Sequence, residues 1–73
     1  MKKWYSMIPD GSIDYAIRNN ETGEIEAIIA KNCGHRGWIR YVKGQHGGWE
    51  ISCTRSWFNN LKDVKAYYDK VNH

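Results

Sequence analysis

The chain reads as a small α+β domain: an antiparallel β-meander of four to five strands with one C-terminal α-helix packed on one face. Three observations predict it. Trp49, Ile51 and Cys53 alternate with Glu50, Ser52 and Thr54, the period of two expected of a half-buried strand. The β-rich runs 36–43 and 49–55 flank Gly44-Gln45-His46-Gly47-Gly48, a glycine-rich loop that joins them as a hairpin. Leu61, Val64, Tyr68 and Val71 then recur at helical spacing, one stripe of an amphipathic helix.

The 73 residues make one domain with one modest core. Burial and chain entropy nearly balance at this size, and four Trp, five Tyr and one Phe supply the dense packing required. The formal charge of +3 is far from that of a dedicated nucleic-acid binder. No apolar run approaches the ~20 residues of a membrane span, so no membrane partner is expected. The Met-Lys-Lys start lacks the apolar stretch of a signal peptide, which makes the expected location cytoplasmic. Two cysteines there are expected as free thiols.

Along the chain, Trp4 to Ile8 is a short apolar run ended by a Pro9-Asp10-Gly11 turn. Ile13 to Arg18 alternates, Asn19 to Gly23 is a hairpin loop, and Ile25 to Ala30 forms the next strand. Asn32 to His35 turns the chain into the central hairpin. Trp57 and Phe58 precede Asn60, where they clamp the helix onto the sheet. Asn60 is the expected N-cap of a helix over Leu61 to Val71, with Asp63 complementing its positive end. No repeat or linker divides the chain.

The hydrophobic pattern suggests a register, pairing Ile17 with Ile25, Ile29 with Ile39 and Tyr41 with Ile51. A one-residue slip would turn every side chain over. The odd-numbered residues then form the core under the helix: Ile13, Tyr15, Ile17, Ile25, Ala27, Ile29, Ile39, Tyr41, Trp49, Ile51 and Cys53. The opposite face carries Ala16, Ile28, Ala30, Trp38 and Val42 among charges that include Asp14, Arg18, Glu24, Glu26, Arg40 and Glu50. An apolar centre with a charged rim is more than scattered exposure. The candidate binding residues are Trp38, Arg40, Ile28 and Val42, with Arg18 and Arg55. On this register Trp38→Ala weakens binding and spares stability, whereas Ile51→Ala opens a core cavity.

Catalysis finds no support in the pattern. No paired carboxylates, HExxH or GxSxG appear, and Cys33 and His35 flank one glycine without an acidic group to orient the base. The glycine-rich loop joins antiparallel strands instead of opening a helix, so it lacks the N-terminus of a phosphate loop. A metal site made of Cys33, His35, His46 and Cys53 fails on distance. About eight strand residues at ~3.3 Å each put His46 some 25 Å from Cys33. Three residues without regular spacing remain, so no metal and no cofactor are expected. Cys53 is read as a small core residue and Cys33 as solvent-facing.

Residues 24–72 hold a three-stranded sheet backed by a helix, with Trp38, Arg40, Trp49 and the Trp57-Phe58 step. That layout resembles the plant AP2-type domains and the integrase arm-binding domains, which read DNA with Arg and Trp projecting from the strands. The resemblance implies a nucleic-acid-binding alternative, with Lys43, Arg55, Arg18 and Arg36 as cations. Asp14, Glu24, Glu26 and Glu50 on the same face oppose it. A protein partner fits better, since a Trp anchor beside Arg within a mixed-charge rim is the anatomy of an interface hot spot. Homodimerisation through the same patch is the other reading. In size and layout the chain also resembles small bacteriophage accessory proteins, including anti-CRISPR proteins, some of which inhibit host enzymes by docking on them. This implies an inhibitor whose partner is a host protein.

Overall fold

The computed structural model describes residues 3–11 and 13–71. Met1 and Lys2, on which the reading of the chain's start rests, lie outside them. Six strands and one helix follow in order: β1 (Tyr5–Asp10), β2 (Asp14–Asn19), β3 (Ile25–Lys31), β4 (Trp38–Lys43), β5 (Trp49–Ile51), β6 (Trp57–Phe58) and α1 (Leu61–Lys70). The strands make one antiparallel sheet in the order β1-β2-β3-β4-β5, with β6 also paired to β4. β5 and β6 therefore lie end to end along one side of β4, which holds β3 on its other side. The α+β layout is the one that the hydrophobic periodicities predict.

Local chemistry accounts for most of the boundaries. The run at Trp4 to Ile8 becomes β1, and it continues through Pro9, which pairs with Tyr15. A proline is tolerated there because β1 is the sheet's edge and no outer ladder bond is lost. The turn falls one step later, at Gly11, whose φ of +81° suits glycine. At the helix start, Asn60 Oδ1 accepts the Asp63 N–H at 2.9 Å, so the expected N-cap forms. Val64 and Tyr68 on the predicted stripe are buried. No helix among the described residues is long and apolar enough to cross a membrane.

The core comprises Tyr5, Ile17, Ala27, Ile29, Phe58, Val64 and Tyr68, with Trp4, Met7, Tyr15, Trp38, Val42, Leu61 and Tyr67 packed against it. Two of the three expected pairings are corrected. Tyr41 does pair with Ile51, but Ile17 pairs with Ala27 next to a bulge at Ile17/Arg18. Ile29 pairs with Arg40 instead of Ile39. The second difference is a one-residue slip, and it turns all of β4 over. Trp38, Arg40 and Val42 go under the helix, while Ile39 and Tyr41 go to the open side. Trp49 and Ile51 follow them and are 41% and 57% exposed. Ile13 and Cys53, also expected in the core, are exposed.

Arg40 supplies the physical reason. It is 8% exposed, and residues 52–56 fold around it. Its Nη2 donates to Ser52 Oγ (2.8 Å) and the Thr54 carbonyl (2.7 Å). Its Nε donates to the Arg55 carbonyl (3.1 Å), and Nη1 to the Tyr68 hydroxyl (3.3 Å). The Arg55 backbone takes a left-handed φ of 47° in this loop. The guanidinium also lies 5.1 Å from the Tyr67 ring centroid, within cation–π range. A buried cation is tolerable when its donors are satisfied in this way.

A second tie links the helix to the edge strand. The Tyr5 hydroxyl donates to Asp69 Oδ1 (2.8 Å), and Lys3 Nζ reaches the same oxygen (2.9 Å). Burial, and next the bond to Asp69, push the Tyr5 phenol up to about 12. Hydrogen bonds from Lys3 and then Tyr5 hold the Asp69 carboxyl below its ordinary 3.8. A raised folded-state value means that the Tyr5 contribution is complete below ~10 and is lost as pH climbs toward 12. The lowered Asp69 value works in reverse, its contribution being lost as pH falls below the ordinary carboxylate range. Denaturation midpoints measured against pH should therefore lose part of their alkaline slope in Tyr5→Phe and part of their acid slope in Asp69→Asn. Unchanged slopes in both variants would refute the tie.

Candidate docking face

Sheet pairing dictates which residues share the surface away from α1. Ile8 pairs with Ala16, Ala16 with Ile28, Ile28 with Tyr41, and Tyr41 with Ile51. These five residues form a continuous apolar row across five strands. Beside it, toward one end of the strands, Asp10, Asp14, Ala30, Ile39 and Trp57 occupy the neighbouring positions of the same face. Toward the other end stand Ser6, Arg18, Lys43 and Trp49. Among the described residues, no element lies over this face.

The row is shielded only from the side. Ala16 is 3% exposed because its methyl sits low between the longer Ile8 and Ile28. Ile8, Ile28, Ile39 and Tyr41 are half-buried, and Ile51 stands out. Trp57 is 43% exposed, and its Nε1–H donates to the Arg36 carbonyl (3.0 Å). Its ring lies against Gly37, whose φ is +98° and where a Cβ would come within 2.6 Å of the Phe58 carbonyl. Only glycine fits there, so a special backbone position anchors an exposed tryptophan.

The six residues singled out from sequence do not share one surface. Ile28 and Arg18 lie on the open face, where Arg18 directs Nε to Asn20 Oδ1 (3.4 Å). Trp38 is turned to the helix side, edge-on to Tyr15 at 5.9 Å with Lys31 Nζ 5.0 Å above its ring. Val42 packs on the core and Arg40 is buried. Arg55 stacks on the outer end of the core, its guanidinium 4.5 Å from the Phe58 ring centroid. Pattern reading missed Ile8, Ile39, Tyr41, Ile51, Trp49 and Trp57. The signal that could have found them is Phe58: a residue that clamps the helix must face it, and its strand neighbour Trp57 must then face away.

Cys33 and Cys53 are free and exposed. No three His, Cys, Asp or Glu side chains cluster as metal ligands among the described residues. A shallow depression of about 700 Å³ beyond the β1 edge is lined by Lys3, Tyr5, Arg18, Asn20 and Lys65, among others, and Lys3 there is already paired with Asp69.

The corrected register reverses the stability ranking expected from sequence. Arg40→Met strips donors from the Ser52 and Tyr68 hydroxyls in the interior and from the part-buried Thr54 and Arg55 carbonyls, and should cost about 2–4 kcal/mol. Arg40→Lys should cost nearly as much, because a point charge cannot serve acceptors fanned around a planar fork. Ile51→Ala, at an exposed site, should stay within about 1 kcal/mol. Urea midpoints on the three variants check this, and an Ile51→Ala loss exceeding that of Arg40→Met would contradict the register. No protein-family model, curated protein or solved structure matches this chain, so the character of the open face is argued from its own residues.

Proposed function

We propose that this protein is a non-enzymatic binding module that docks on another protein through the sheet face that α1 leaves open. The observation that carries this reading is the row Ile8, Ala16, Ile28, Tyr41 and Ile51, apolar on every one of five paired strands. Isolated apolar residues are ordinary on a soluble surface, but a contiguous band is the usual mark of an interaction site. Trp49, Trp57 and Tyr41 belong to the residue types enriched at interface hot spots. Nucleic acid is the weaker fit. Trp38 and Arg40 are turned under the helix, and Arg18 and Lys43 share the open face with Asp10 and Asp14. A phosphate backbone laid across that face meets both signs of charge. A module of this kind acts in stoichiometric amounts by occupying a surface, as small phage inhibitors do.

The test is affinity capture from nuclease-treated lysate with the wild type and Ile51→Asp side by side. The wild type should retain a specific protein. Ile51→Asp should lose about 2 kcal/mol or more of that affinity while melting at nearly the same temperature. Equal retention by both chains, or binding that disappears with nuclease and falls steeply with salt, would overturn the proposal.

A further inference from the structure

We infer that the protein covering the open face is a second copy of this chain, packed sheet to sheet about a two-fold axis that runs across the strands along the apolar row. This rests on the docking role proposed above and names the occupant.

The charges that flank the row on β2 are complementary to one another. On β2, Asp14 and Arg18 stand two positions to either side of Ala16. On β4, Ile39 and Lys43 stand in the same way about Tyr41. In the outermost lane, Trp57 pairs with Ile39 and Trp49 pairs with Lys43, on opposite sides of Ile51. A two-fold axis along the row reverses each pair onto its partner copy, as an isologous interface requires. Asp14 then lies opposite the partner's Arg18, and Lys43 opposite the partner's Ile39. Trp57 lies opposite the partner's Trp49, so the two exposed tryptophans of each copy cover those of the other. An axis along the strands fails, because it would set Arg18 against the partner's Lys43, two like charges.

Size agrees as well. A specific interface takes roughly 800 Å² per partner, which is about a seventh of this molecule's 5281 Å² surface. One broad face of a two-layer domain can supply that. Apolar sheet faces pack at ~10 Å separation and about 30°, which brings the rows together and leaves the charges at the margin. There they select the orientation more than they add affinity.

Sedimentation velocity on the intact chain tests the inference. The wild type should be a dimer at micromolar concentration. Arg18→Glu and Asp14→Lys should each weaken self-association by about tenfold or more, since each sets like charges together twice per dimer. An equimolar mixture of the two should form a heterodimer, because each reversed position then faces the opposite charge. Asp14 Oδ1 also accepts the Lys31 N–H (3.1 Å), so thermal melts confirm that Asp14→Lys folds, and Arg18→Glu, which leaves that bond intact, tests the same pair from its other side. A wild type that stays monomeric at high micromolar concentration overturns the inference. It leaves the docking role standing if Ile51→Asp still abolishes capture of a foreign protein. A dimer indifferent to the charge reversals overturns the orientation, and one indifferent to Ile51→Asp overturns the inference, while the docking role falls only if Ile51→Asp also leaves capture of a foreign protein unchanged.

Discussion

The guanidinium of Arg40 is the constraint on which the rest of the molecule depends. The Arg40 backbone holds both ends of the loop over residues 52–56: its N–H donates to the Ser56 carbonyl, and its carbonyl accepts the Ser52 N–H, each at 2.9 Å. Its side chain holds the middle of that loop through the Thr54 and Arg55 carbonyls. The loop is therefore wrapped around a cation, and its two ends leave as β5 and return as β6 along the same side of β4. Two residues after β6 comes the cap of the helix. Where α1 sits is thus decided by where Arg40 points. Charge-assisted bonds to carbonyls, with two tyrosine rings beside them, replace the water that the guanidinium gave up.

That single placement divides the aromatic side chains between two surfaces. With Arg40 inward, Trp38 and Val42 must be inward as well, since they share its face of the strand. Trp38 pairs with Phe58, and Phe58 is 1% exposed against the helix, so the inner layer closes with Tyr5, Tyr67 and Tyr68. Ile39 and Tyr41 are left outward, and Trp57, Trp49 and Ile51 follow through their pairings with β4. The outward placement of Ile39, Tyr41, Trp49, Ile51 and Trp57 beside the apolar residues of β1 to β3 is a consequence of burying an arginine on the other side.

Much of the fold was legible in the pattern. The helix was readable because a stripe at 3.6-residue spacing and an Asn cap agree with each other. The inner faces of β2 and β3 were readable because Ile17, Ala27 and Ile29 are the apolar residues there. Tyr41 opposite Ile51 followed from the same hydrophobic pattern, and that pair is kept. The facing of β4 was not legible. Trp38-Ile39-Arg40-Tyr41-Val42 is apolar on both faces, so periodicity has no preference, and the lone charge in its middle argues for solvent by default. The satisfaction of that charge comes from residues 12 to 28 positions away, beyond the reach of any local pattern. Cys53 was misplaced for the same reason, because alternation was continued into residues that had left the sheet. Of the candidate surface, Ile28 and Arg18 survive; Trp38, Arg40 and Val42 turned over with β4, and Arg55 lies in the loop that wraps Arg40.

The edges of the sheet explain why the proposed association is directed to its face. An open sheet edge presents unpaired N–H and C=O groups and invites strand addition, which soluble proteins suppress with proline, bulges and short strands. Here the β1 edge carries Pro9, which has no N–H to offer. The opposite edge is cut into β5 and β6, of three and two residues, by the loop that Arg40 gathers in. Neither edge is a long, flat template. The face between them has the contrary character: five strands in register, apolar along the row, with acidic residues toward one end and basic residues toward the other. A ten-residue helix is about 15 Å long, which is enough to close one side of a five-stranded sheet and no more. Among the described residues no second helix covers the other side, and that is the side to which the proposed docking is assigned.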